Sequence, residues 1–413
     1  MTTSEGYTDI VWRQFRKNRP ALAALWVLVP MLLLAIFAPV IASGQPLVVF
    51  EQGRAFSPWV LALFNTSETV DYLFNMALVA FVPWLAVVLP ANYFARRRGV
   101  PGRIRLLSAL SLYMLATLTL SSICAWSQFH PRDAYRTRNF AEEEFSDAKS
   151  LHGWYTLLPF DASDTDLASR YKSPGFAKTK TEERASVNDG TRHWLGADDM
   201  GHDVLVRMIY GTRISLTVGF VAVGIYLTIG VVVGALAGYF GGWIDILLSR
   251  VIEVVMLFPI FFLILTIVAL SGPSIYVIMV VIGFTGWAGI ARLIRGEVLK
   301  QRSMDYVTAA RALGASNMRI IFRHILVNAL TPALVAAPFG VAEAIIIEAE
   351  LSLLGFGVPP PAPSWGALLE QGKDNYSYWW LIVVPSVAIF VTVTAFNLVG
   401  SGLRDAMDPR LRK

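Results

Sequence analysis

The chain has 413 residues, of which 55% are hydrophobic and only 16% charged, and its mean hydropathy is +0.53. Soluble globular chains carry about a quarter charged residues, so this composition excludes that class and indicates a polytopic membrane protein. The formal net charge of +5 reads as cytoplasmic loop charge and not as a nucleic-acid footprint, and a single cysteine, Cys124, excludes an intrachain disulfide and a cysteine-rich metal site.

A membrane-spanning helix needs about 20 mainly apolar residues. Eight segments qualify, at about 21–42, 72–94, 106–127, 214–238, 251–270, 275–293, 328–349 and 379–402. Arg13, Arg16, Lys17 and Arg19 precede the first, which predicts a cytoplasmic N-terminus by the positive-inside rule. Alternating from there places Arg96, Arg97, Arg98, Arg103 and Arg105 inside, then the basic residues from Arg292 to Arg323, then Arg404, Arg410, Arg412 and Lys413. The short outer loops 43–71 and 271–274 carry almost no Lys or Arg, so both termini are expected in the cytoplasm. The first apolar run, of about 22 residues, exceeds the 7–15 of a signal peptide and reads as an anchor, although Ala42-Ser43-Gly44 imitates a cleavage site.

Residues 128–192 form a long hydrophilic outer stretch that mixes AEEEF and KTKTEER with an aromatic patch at Trp154, Tyr155 and Phe160. Next comes HWLGADDMGHDVLVRMIYGTRISLTV, at 193–218. Asp203 is placed to cap a short outer helix, because a carboxylate accepts the free backbone N–H groups at a helix N-terminus. His193, Asp198, Asp199, His202 and Asp203 also open a rival reading as a membrane metalloenzyme. Their spacing is no established ligand motif, there is no HExxH, and Asp and Gly before an apolar run more often serve capping and turns. No metal site is therefore expected.

Residues 304–332, MDYVTAARALGASNMRIIFRHILVNALTP, are polar, basic and rich in small residues, between two apolar segments. A helix pair is expected here. Ala309, Ala310, Ala312, Gly314 and Ala315 would let another protein approach the backbone, while Arg311, Arg319 and Arg323 recur at roughly helical spacing. The alternative is an amphipathic helix lying on lipid. Further on, Gly355 and Gly357 followed by Pro359, Pro360 and Pro361 must turn the chain as it leaves the membrane. Among acids near the membrane, Glu343, Glu348 and Glu350 fall in or near the seventh span and Glu253 begins the fifth, and Glu348 is the candidate for a translocation-path or bundle-interior role.

Four strings carry a resemblance. Ala309-Ala310, Gly314 and Ile325-Leu326 resemble the EAA loop of ABC importer permeases, where the ATPase docks, with Thr308 standing where the motif has an acid. Leu195, Gly196, Asp198, Gly201, Asp203, Tyr210, Gly211 and Arg213 match the string that precedes the transport core in the oligopeptide and dipeptide permease branch, whereas Trp194 and His202 depart from it. ELSLLGFGVPPPAPSWG at 350–366 and the terminal LRDAMDPRLR are similar to that branch as well.

The resemblance implies an all-α permease with a six-helix core, and the two extra N-terminal spans at 72–94 and 106–127 depart from it and read as an insertion. It divides the chain into a cytoplasmic N-terminus and first core helix at 1–43, an insertion at 44–192, and a core at 193–413 with its EAA-like loop at 304–326. It implies a bacterial inner-membrane location, a heterodimer with a second permease, two ABC ATPase subunits and an extracytoplasmic binding protein. The expected cargo is a peptide, with nickel chelates or another small solute as the alternative. The chain has no GxxxxGK[ST] string, so ATP and Mg are expected on the partner subunits and no cofactor on this one. It is not expected to be an enzyme.

Overall fold

In the computed structural model the described residues are 7–51, 54–64, 69–97, 100–126, 151–177, 192–373 and 376–408. The charged runs at 141–144 and 178–184, together with Arg98, Arg410, Arg412 and Lys413, lie outside them. Because nothing in hydrocarbon can satisfy a free backbone group except the chain itself, the apolar runs all form helices. In chain order come α1 (Tyr7–Phe15), α2 (Arg19–Ile41), β1 (Val48–Glu51), β2 (Arg54–Phe56), α3 (Pro58–Ala62), α4 (Thr69–Arg97) and α5 (Gly102–Trp126). Then follow β3 (Leu151–Trp154), β4 (Phe176–Ala177), β5 (Arg192–His193), α6 (Val204–Phe240), α7 (Gly242–Leu257), α8 (Ile260–Ser271) and α9 (Ile275–Arg302). The remainder is α10 (Asp305–Ala312), α11 (Asn317–Ala329), α12 (Thr331–Leu353), α13 (Trp365–Lys373) and α14 (Trp380–Met407).

Six of these helices are long and apolar enough to cross a membrane, and counting each bent pair as one span gives eight. Two expectations are corrected. The fifth span is not one helix: α7 and α8 meet at 80°. Pro259 disfavours helical backbone at Phe258, which is extended at φ −76° and ψ 135°. The short outer helix expected before the fourth span does not stand apart either. It is the first part of α6, which runs 37 residues without a proline. A 59° bend separates α11 from α12, with Pro332 in the first turn of α12, where its missing N–H costs nothing.

Residues 31–214 with 361–363 make one compact unit, and residues 1–30, 215–360 and 364–413 make another. In the first, α4 and α5 pack side by side around Phe81, Trp84 and Tyr113. The polar tips of two of these rings are satisfied across the pair, Trp84 donating to the Ala109 carbonyl and Tyr113 to that of Ala77. β1 pairs antiparallel with both β2 and β3, bringing Val48 opposite Trp154. Just before β1, the Leu158 amide donates to the Ile41 carbonyl and the Ser43 amide to the Leu158 carbonyl. Segment 41–51 is therefore zipped to segment 151–158.

In the second unit, Gly230, Gly234 and Gly238 form a seam one side of α6 wide. A Cβ on any of them would come within 3 Å of α9, at Ile290, Ala291 or Arg295. Small residues four apart let two membrane helices pack backbone to backbone, where van der Waals contact replaces a hydrophobic drive. α12 and α14 pack extensively on each other, α13 packs against both, and Trp365 and Leu368 of α13 are fully buried.

Candidate docking loop, outer segment and membrane cavity

The loop after α9 is a helix pair. α10 ends in a Schellman turn: the Gly314 amide donates to the Arg311 carbonyl at 3.0 Å and the Ala315 amide to that of Ala310 at 3.1 Å. That turn requires the left-handed backbone of Gly314, at φ 79°. Ser316 caps α11 by accepting from the Arg319 amide. Val307, Ile320, Ile321 and Ile325 are buried and fix the loop to its own unit. On its other side Thr308, Ala309, Arg311, Arg319 and Arg323 are exposed, and Ala310 and Ala315 partly so. Leu313 is 88% exposed, with Met318 at 58% and Phe322 at 57%. These three large apolar residues are absent from the small and basic set that the sequence pattern marks on this surface, and their signal there is their place beside Gly314, Arg319 and Arg323.

The outer segment 193–213 is built from buried ion pairs. Asp203 caps α6 through the Val206 amide at 2.9 Å, and its other oxygen meets His193 Nδ1 at 2.9 Å. Asp198 accepts from the Met200 and His202 amides and from the His202 ring at 2.8 Å, and Arg207 lies 3.3 Å away. Burial by itself would raise the Asp198 carboxyl; the His202 hydrogen bond and the Arg207 charge outweigh it and hold the group below the usual carboxylate range. Gly201 sits at φ 80° with a would-be Cβ 1.8 Å from the Asp166 carbonyl, so no other residue fits. The His and Asp side chains are thus divided between two separate clusters, one already holding a guanidinium. Among the described residues no three such groups gather to hold a metal. Tyr210 donates to the Ala42 carbonyl at 2.9 Å, and Arg213 is fully buried.

A cavity of about 390 Å³ opens in the second unit, lined by Tyr226, Thr285, Gly286, Phe339, Gly340 and Glu343 among others. Glu348 does not line it. It is fully buried and accepts a hydrogen bond from Ser352 at 2.8 Å. Packing decides between the two acids: Glu343 and Ile347 line the cavity, whereas Glu348 is buried against its neighbours.

Two sequence families match the chain: the binding-protein-dependent transport system inner membrane component, over residues 230–413, and the N-terminal membrane domain of oligopeptide transport permease C, over residues 6–54. A peptidoglycan transport system permease, YejE of Agrobacterium fabrum, is 40% identical over 399 residues, 97% of this chain and 92% of its own. The chain is a binding-protein-dependent transport permease. The dipeptide transport permease DppC of Alkalihalophilus pseudofirmus is 39% identical over 58% of the permease and 79% of its own length. Among solved structures, the MetNI methionine ABC transporter matches with a TM-score of 0.42 and 18% identity, covering 49% of the permease and 97% of the matched chain. The permease is a multi-span inner-membrane protein, and its relatives are transport subunits, not enzymes. The YejE alignment, at 399 of the 413 residues, crosses the two extra spans and the outer stretch.

Proposed function

We propose that this permease forms, with a second permease, the translocation path of an ATP-driven importer of peptides. Two separate ATPases dock from the cytoplasm, and an extracytoplasmic binding protein delivers cargo. The observation that carries this reading is the 304–329 loop, whose backbone is pinned by buried isoleucines while Leu313, Met318 and Phe322 are left open to a partner. ATP and Mg belong to that partner, and closure of the ATPases would move the loop and rock the helices in alternating access.

Peptide cargo is supported by the dipeptide and oligopeptide relatives. A cell-wall peptide is the more specific form of the reading, because the relative aligned over nearly the whole chain is a peptidoglycan transport permease. The zipper between 41–51 and 151–158 supports treating what lies between as an insertion into the six-helix plan.

The test is co-purification. Leu313→Asp with Phe322→Asp should leave the permease in the membrane and abolish capture of its ATPases; undiminished capture refutes docking at this loop. For orientation, a cysteine replacing Gly99 in a Cys124→Ala background should react with an impermeant maleimide only in inside-out vesicles. Labelling of intact cells from outside reverses the proposed topology.

A further inference from the structure

Glu343 stands near the middle of α12, about 18 Å from one end and 15 Å from the other at the 1.5 Å rise of a helix. Its carboxylate faces the cavity, and among the described residues it has no ion-pair partner. The other lining residues include no Lys, Arg or His. Charge at such a depth faces a bundle interior or a polar path and is paired, and no described residue supplies the cation for Glu343.

The rest of the wall says what kind of cation. A Cβ on Gly340 would lie 1.3 Å from the Tyr226 hydroxyl, so glycine is what admits that hydroxyl to the wall of α12, one turn before Glu343. Thr285 spends its proton on the Val281 and Ile282 carbonyls and keeps an oxygen lone pair to accept with. Carboxylate, phenol oxygen and threonine oxygen bring three acceptor oxygens from three helices to the lining of one cavity, and an alkylammonium has three N–H donors. One carboxylate with two neutral hydroxyls suits a singly charged organic cation better than a divalent metal, which seeks several anionic or carbonyl oxygens. The volume of about 390 Å³ is that of a small-ligand site, and its wall is otherwise apolar, as a peptide side chain requires.

We propose that the Glu343–Tyr226–Thr285 wall is a transient subsite for the N-terminal ammonium of the peptide in transit. This rests on the peptide-importer reading. The test uses the whole transporter, with its second permease, ATPases and binding protein, in proteoliposomes. Uptake of labelled trialanine and of N-acetyltrialanine is compared for the wild type, Glu343→Gln and Glu343→Asp. The expected result is a ratio of free to acetylated uptake at least tenfold lower in Glu343→Gln and within about threefold of the wild type in Glu343→Asp, with ATPase association unchanged in both. An unchanged ratio in Glu343→Gln overturns the subsite, whether total uptake is retained or lost; equal loss of both peptides would instead mark Glu343 as a contact to the second permease. A wild-type transporter that carries neither peptide overturns the peptide reading itself.

Discussion

Arg213 places its guanidinium 2.8 Å from the carboxylate of Asp71, 3.1 Å from the side-chain oxygen of Asn75 and, through Nε, 2.7 Å from the Ala35 carbonyl. One buried arginine of α6 therefore ties together α2 and the first of the two extra spans. Phe74 and Tyr210 lie against the same cation. The arginine of the Tyr-Gly-x-Arg string has become the anchor of an added helix. Replacing it with methionine strands the Asp71 carboxylate and should cost about 3–5 kcal/mol. Asp71→Asn should cost less, and the double variant should fall short of the sum by about 1 kcal/mol or more. Thermal unfolding of the detergent-purified permease measures all three; strict additivity would show that the pair is incidental.

At Gly314, two explanations of the same glycine can be separated. If its φ of 79° is what matters, a residue that tolerates left-handed backbone is accepted and a small one that does not is penalised. Open space surrounds the position, with no atom within 4 Å of a would-be Cβ. Gly314→Asn should then keep most ATPase capture, while Gly314→Val, at a cost of about 1–2 kcal/mol to the turn, should lose most of it. Membrane levels of both should match the wild type. If Asn fails as badly as Val, close approach of the ATPase to the backbone is the stronger requirement.

The spans were legible in the sequence because bilayer thickness acts on composition alone: six of the eight expected segments fall on single long helices and the other two on the bent pairs α7–α8 and α11–α12. What composition does not record is where a helix breaks or merges. The break at Pro259 was in plain view but lies in the middle of an apolar run, and the joining of the 204–213 turn to the fourth span depends on tertiary partners of Tyr210 and Arg213. Asp203 was legible as a cap because capping is local. Asp71 as the partner of Arg213 was not, since 142 residues separate them. Choosing Glu343 over Glu348 for the cavity required knowing which face of α12 is packed, and α12 is apolar all round, so periodicity is mute.

Asp198 makes a pH-dependent contribution whose sign follows from its lowered folded-state acidity. A carboxyl that ionises more readily in the folded state stabilises it at every pH above the unfolded value of about 3.9, and the contribution disappears as pH falls through the lowered folded value. Asp198→Asn leaves Arg207 buried without its anion and should destabilise the outer segment by about 3–5 kcal/mol at neutral pH. The gap between variant and wild type should narrow below about pH 3.9, read as the difference in midpoint of thermal unfolding. A gap that widens on acidification contradicts the ion-pair assignment.

Glu348 offers the complementary test to the cavity acid on the same helix. Its side chain accepts from Ser352, and Ser352 in turn is crowded by Gly357 and Gly366, where an added Cβ would fall 2.4 Å or less from it. The string from α12 through the following turn to α13 thus closes on this one serine. Gln at 348 keeps an acceptor of the same shape for the Ser352 hydroxyl, so Glu348→Gln should retain uptake within about twofold and nearly full stability. Leu at 348 leaves that hydroxyl buried and unpaired and should cost about 1–3 kcal/mol, with lower membrane levels in proportion. Were Glu348→Gln to abolish uptake while folding and ATPase capture stayed normal, the carboxylate charge itself would be acting in transport, and α12 would present acids to the path from two faces.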